Sequence, residues 1–143
     1  MSAQAARISN ALGLRRKAGA PIVMVREVEG GLPVAAVDAI SRRIAPEDSA
    51  FKHSLVPKAT LARRRAARDP RLSKDESERL VRLASVWSEA QDVWGSDEAA
   101  RRFMFRPHPL LEGRTPMEVT LSSELGGKVV GDVLGGLAHG TAV

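Results

Sequence analysis

Three consecutive arginines, Arg63-Arg64-Arg65, end the run Pro57-Lys58-Ala59-Thr60-Leu61-Ala62-Arg63-Arg64-Arg65. At helical spacing Thr60, Arg63 and Arg64 share one face, at i, i+3 and i+4. A guanidinium can grip guanine O6 and N7 through two parallel hydrogen bonds, while lysine and threonine suit phosphate oxygens. Lys58 sits near the helix start, where phosphate is also favoured. The chemistry is polyanion binding; a solvated basic face is the other reading of the same residues. The candidate DNA contacts are Lys58, Thr60, Arg63, Arg64, Arg65 and Arg68. Losing one base-reading arginine costs about 1–3 kcal/mol.

Other chemistry finds little to stand on. His53, His108 and His139 lie far apart, with no carboxylate at metal-ligand spacing, so no metal site is expected. No Ser/His/Asp ordering stands out. Gly126-Gly127-Lys128 lacks the earlier glycine and the preceding strand of a phosphate loop. Cysteine is absent, which removes disulfides and thiolate metal sites and fits a cytoplasmic protein. No enzyme activity and no cofactor is expected.

The basic run needs elements to position it. Pro33 fits a first helical turn. Val34, Ala36, Val37, Ile40 and Ile44 then recur at three- and four-residue steps, which predicts a helix from about 33 to 44. Glu47 to about Leu55 reads as a second short helix. Pro57 forces Val56 out of helical geometry, and a third helix carries the arginines to about Ala67. Three short helices with tight breaks, the third basic, make a helix-turn-helix pattern. Residues 1–30, interrupted by Arg15-Arg16-Lys17, Gly19, Pro21 and Gly30, read as a partly ordered arm in which Val23, Val25 and Val28 form a short strand or pack on the next domain.

The second half begins on a strong start signal. Ser73-Lys74-Asp75-Glu76 is a capping box. Leu80, Leu83, Ala84, Trp87, Ala90 and Trp94 form one apolar stripe behind it, and Gly95 ends the helix. Ser96-Asp97-Glu98 opens a fifth helix, with Ala99, Ala100, Phe103 and Met104 on one face. Thr115-Pro116-Met117-Glu118 repeats the capping logic. A last helix runs from about Ser123 to Leu137, with Val130, Val133, Leu134 and Leu137 apolar. Gly127, Gly131 and Gly135 lie on another face, at a cost of about 1 kcal/mol each relative to alanine. They mark either a weak terminal helix or a face made smooth for another backbone.

Charge divides the 143 residues in the same place. Residues 1–72 hold 14 Lys/Arg against 6 Asp/Glu, net +8; residues 73–143 hold 8 against 11, net −3. A basic front half and a slightly acidic rear half suggest two jobs. With only three Phe, two Trp and no Tyr, the core must be aliphatic and alanine-rich, which favours helices. No apolar run is long enough to span a membrane, and the first 30 residues lack a signal peptide's apolar block. The fold class is all-α, with an N-terminal helix-turn-helix domain over 31–69 and a small helical domain over 73–143.

Taken together these pieces resemble a known family. Val56 through Arg65, Arg71-Leu72-Ser73, Glu76-Ser77, Arg79-Leu80 and Arg82-Leu83-Ala84 look like the antitoxins of the Xre/MbcA/ParS group. Downstream, Ala90 to Gly95, Ala99-Ala100, Pro107, Leu110 through Glu118, Glu124-Leu125-Gly126 and Val130 to Leu134 follow that group's toxin-binding domain. The match covers roughly residues 31–140. Phe103-Met104 replaces a frequent Trp-Leu pair, Gly136 replaces a bulky charged residue, and Ser54-Leu55-Val56-Pro57 lacks the glycine common in the turn of the helix-turn-helix.

The resemblance implies an Xre/Cro-like DNA-binding domain fused to a toxin-binding domain, in a type II toxin–antitoxin system. The implied partner is a RES-domain toxin that degrades NAD. The antitoxin would block that enzyme sterically, bind operator DNA, autoregulate its operon and form a homodimer. The implied toxin-binding residues are Gly113, Arg114, Lys128, Gly131, Asp132, Gly135, His139 and Gly140. The competing expectation is a stand-alone helix-turn-helix transcriptional regulator whose C-terminal half only dimerises.

Overall fold

The structure, a computed structural model, describes residues 3–14 and 20–140. The elements among the described residues are all helical, and the chain falls into two compact units, the first ending at Ala84 and the second starting at Ser85.

The first unit opens with α1 (Ala3–Ala11) and α2 (Pro21–Glu29). Here one of the two expectations for Val23, Val25 and Val28, a short strand, is corrected: the segment is helical. Pro21 starts a helix, and Met24 and Val28 are buried one turn apart. In α1, Ala5, Ile8 and Ala11 are buried at helical spacing, followed by Leu12 and Leu14. The buried Ser9 hydroxyl donates to the Ala5 carbonyl at 2.9 Å, so it enters the core with its polar group satisfied. Arg15-Arg16-Lys17 lies outside the described residues.

Next come α3 (Ala35–Ile44), α4 (Lys52–Leu55) and α5 (Lys58–Ala66). The α3 stripe is buried as its spacing predicts, through Ala36, Val37, Ile40 and Ile44. The second helix is shorter than expected: residues 46–51 form turns, and Asp48 accepts the Ala50 amide at 3.0 Å, an Asx-type turn that competes with helix. Phe51, Leu55, Val56 and Leu61 are buried along this stretch and tie it to the core.

The chain flanking this trio is zipped together. The Val34 amide donates to the Pro70 carbonyl at 3.1 Å and the Leu72 amide to the Leu32 carbonyl at 2.8 Å, around an antiparallel bridge between Pro33 and Arg71. Gly31 has φ of +81°, and the Leu72 carbonyl crowds the point where a Cβ would stand. Only glycine fits both demands.

Helix α6 (Lys74–Trp94) starts in the first unit and ends in the second. Its predicted capping box is formed: the Ser73 amide donates to Glu76 Oε1 at 2.8 Å, and the Glu76 amide donates to Ser73 Oγ at 3.1 Å. The second unit continues through α7 (Asp97–Phe105), a 3-10 turn (Pro109–Leu111), α8 (Pro116–Ser122) and α9 (Glu124–Ala138). Side-chain caps open each of these α-helices: Ser96 Oγ accepts from the Ala99 amide, Thr115 Oγ1 from Glu118, and Ser123 Oγ from Gly126. Trp87, Ala90, Ala100, Met104, Val130 and Leu134 are fully buried in this unit. The division between the units thus falls inside α6, later than the 69–73 boundary expected from the sequence.

Candidate DNA-binding helix and partner-binding face

The geometry of α5 follows from its one buried residue. Leu61 anchors the helix to the core. Residues three and four positions on, Arg64 and Arg65, therefore flank the inward side, whereas Arg63, two positions on, points away from it. The exposed residues beside Arg63 are small: Ala59, Ala62 and Ala66. One arginine on a smooth helix face is a shape that can enter a groove.

The three arginines are accordingly not one patch. Arg64 Nε lies 3.1 Å from Glu76 Oε1, and Arg64 Nη2 donates to Glu76 Oε2 at 3.3 Å. Arg65 Nη2 donates to Asp38 Oδ1 at 2.9 Å, and Lys52 Nζ stands 4.0 Å from the same oxygen. The expectation that Thr60, Arg63 and Arg64 present one face is corrected in this respect, because Arg64 turns inward to a carboxylate. Lys58, Arg63 and Arg68 are exposed and Thr60 is half-buried; Arg68 lies beyond the end of α5, after Ala67. Arg42 and Arg43 are exposed in the last turn of α3, where the helix dipole favours cations.

Glu76 is the hub of this corner. Burial pushes its proton affinity up, but the Ser73 amide and the Arg64 guanidinium outweigh that, and its carboxyl sits below the ordinary glutamate range. One turn further along α6, Arg79 Nη1 donates to the Leu55 carbonyl at 2.7 Å, at the end of α4. The Leu32 amide donates to Ser77 Oγ at 2.9 Å. Thus the start of α6 holds α4, α5 and the entry to α3 by named hydrogen bonds.

The second unit presents a different surface. On α9 the outward stripe is Leu125, Lys128, Val129 and Asp132, at i, i+3, i+4 and i+7. Leu125 is 69% exposed and Val129 37% exposed. Leu125 entered the sequence reading only within the run Glu124-Leu125-Gly126, and Val129 not at all, because an apolar residue in an apolar helix reads as core. Gly113 and Arg114 are exposed in the turn before α8, whose backbone is closed by the His108 amide donating to the Arg114 carbonyl at 3.0 Å. His139 caps α9 and Gly140 follows it; both are exposed. The tail beyond Gly140 lies outside the described residues.

Gly126, Gly131 and Gly135 of α9 differ in their surroundings. At Gly126 a Cβ would collide with the Val119 carbonyl of α8, so this glycine lets the two helices touch backbone to backbone. A Cβ at Gly131 would stand 3.5 Å from Glu89 Oε2 on α6, and one at Gly135 would meet nothing within 4 Å. Burial raises the proton affinity of Glu89, and Asp132 and then Asp92 raise it further by charge repulsion.

His108 Nδ1 accepts from the Leu110 amide at 3.1 Å, capping the 3-10 turn, and its ring meets Phe103 edge-on at 6.2 Å. Among the described residues no three His, Asp or Glu side chains gather as a metal site, and no helix is long and apolar enough to cross a membrane.

Comparison with known proteins agrees with this two-part layout. Residues 23–85 match the antitoxin Xre-like helix-turn-helix domain, and residues 89–140 match the antitoxin Xre/MbcA/ParS C-terminal toxin-binding domain. Antitoxin Xre of Yersinia enterocolitica is 32% identical over 120 residues, covering 82% of this chain and 80% of the relative. Antitoxin Xre of Pseudomonas putida is 34% identical over 89 residues, covering 62% of this chain and 55% of the relative. The helix-turn-helix match begins inside α2 and ends beside the division within α6. The chain belongs to the Xre family of antitoxins, with a helix-turn-helix domain followed by a toxin-binding domain.

Proposed function

We propose that this chain is the antitoxin of a type II toxin–antitoxin pair. It binds a RES-domain toxin through its second unit, covers the entrance to that enzyme's NAD-degrading site, and represses its own operon through α5. On this reading it works as a homodimer in the cytoplasm, and its own chemistry is binding. The observation that carries the reading is the exposed Leu125 and Val129 on α9, within the region that matches a toxin-binding domain. Exposed apolar residues rimmed by Lys128 and Asp132 suit a protein partner better than solvent. Gly113, Arg114, Gly131, Gly135, His139 and Gly140 belong to the proposed toxin contacts through the same unit. Lys58, Thr60, Arg63 and Arg68 are the proposed DNA contacts, a face on which two half-sites would be read by two copies.

The test is co-purification with the product of the adjacent gene. A stable complex that loses NAD-degrading activity is the expected outcome. An adjacent product that neither binds nor degrades NAD counts against the reading, and operator binding without such a partner would favour a regulator acting alone.

A further inference from the structure

The basic residues of the α5 region do not share one task. Glu76 Oε1 accepts both the Ser73 amide, at 2.8 Å, and Arg64 Nε, at 3.1 Å, while Oε2 accepts Arg64 Nη2 at 3.3 Å. The same carboxylate therefore caps α6 and holds α5. A planar guanidinium bound through two of its nitrogens is fixed in direction, which a lysine could not reproduce. On the other flank of Leu61, Arg65 reaches Asp38 on α3 at 2.9 Å. Two carboxylates from two different helices thus grip α5 on either side of its single buried residue. Leu61 alone would leave a nine-residue helix free to roll about its axis. The Arg79 bond to the Leu55 carbonyl fixes the turn that leads into it.

We propose that Arg64 is a positioning residue: through Glu76 it sets the roll of α5, so that Arg63 rather than Arg64 faces the nucleic acid. Arg65, through Asp38, steadies the opposite flank. This rests on the reading of α5 as a DNA-contacting helix.

Charge gives a sharp discriminator. Removing a carboxylate beside a DNA-binding surface ordinarily strengthens binding, because it removes repulsion from phosphates. If Arg64 read DNA directly, Glu76→Gln would free it and tighten binding. If Arg64 positions the helix, Glu76→Gln weakens binding although the protein becomes more positive. Glutamine keeps the capping-box acceptor for the Ser73 amide, so the variant separates the cap from the ion pair.

The experiment measures binding of the full chain to a fluorescent duplex from upstream of its own gene, across a salt series. Arg63→Ala is expected to lower the slope of log K against log salt by about 1 if it meets a phosphate, or to relax sequence preference if it meets a base. Arg64→Ala and Glu76→Gln are expected to weaken binding up to about fivefold with the slope unchanged. The Arg64→Ala/Glu76→Gln double variant is expected to be no weaker than either single one. A slope that falls in Arg64→Ala, or tighter binding in Glu76→Gln, overturns the proposal. Hydrogen exchange on the free protein reports independently of DNA: α5 amides are expected to exchange faster in both single variants while α6 amides do not. If the unaltered chain binds no duplex, the DNA-binding reading fails by itself, and unchanged α5 exchange would then overturn the positioning role as well.

Discussion

Gly126 of α9 lies so close to the Val119 carbonyl of α8 that no side chain fits between them, and Ser122 Oγ stands 2.7 Å from where a Cβ would be. The contact joins the two last helices by backbone, and Ser123 alone connects them along the chain. Because the obstacle is a carbonyl rather than a flexible side chain, an added methyl must push the helices apart. Gly126→Ala is expected to destabilise the second unit by about 1–3 kcal/mol. Thermal unfolding followed by circular dichroism checks this, and partner binding should fall with it while DNA binding persists.

A second prediction concerns the exposed face of α9. Leu125→Asp with Val129→Asp is expected to abolish the partner complex and to leave the melting temperature within a few degrees. Both side chains already meet solvent, so their replacement costs little in folding. Isothermal titration against the adjacent gene product measures the first effect and calorimetry the second.

The pH dependence of the second unit follows from Glu89. Its folded-state proton affinity is raised, by burial first and then by Asp132 and Asp92. A raised carboxyl value means the folded state binds the proton more tightly than the unfolded chain. Stability is therefore lost as pH rises from the ordinary glutamate value through the raised one, and the cost persists at neutral pH. Glu89→Gln is expected to raise the melting temperature at neutral pH and to flatten this part of the profile. Glu76 has the opposite sign: its value is depressed, so its contribution is present above the ordinary glutamate value and is lost as pH falls through the depressed one. Melting temperatures of Glu89→Gln and Glu76→Gln at neutral pH should shift in opposite directions.

The end of α9 carries a prediction of its own. Truncation after Leu134 keeps the last fully buried residue of that helix and removes Gly135, His139 and Gly140. Neutralisation of the toxin is expected to be lost and DNA binding retained, as measured by growth rescue and by duplex binding. Retained rescue would remove the tail from the proposed contacts.

What the sequence made legible was chemistry acting over one turn. The capping box at Ser73 and Glu76 and the caps at Ser96 and Thr115 are read from residues three apart, and all three form as expected. The stripe of α3 was legible because Val37, Ile40 and Ile44 repeat at helical spacing. The helices over 3–11 and 21–29 were not. Ala20 offers α2 no side-chain cap, and glycines interrupt the segment. The role of Arg64 was hidden for another reason. Glu76 lies 12 residues away, and Asp38 lies 27 from Arg65, so only the folded chain shows which arginines are already held. The position of Leu61 carried part of that answer, because it marks which side of α5 faces inward. Leu125 and Val129 were masked by their apolar neighbours, whose burial they do not share.

The proposed silencing of an NAD-degrading partner by the second unit would show in the NAD content of cells expressing the adjacent gene, with and without this chain. NAD is expected to fall when the partner is expressed alone, to stay at the control level when the intact chain is present, and to fall again when the chain carries Leu125→Asp and Val129→Asp. NAD that falls equally with and without the intact chain, or that never falls at all, would contradict it.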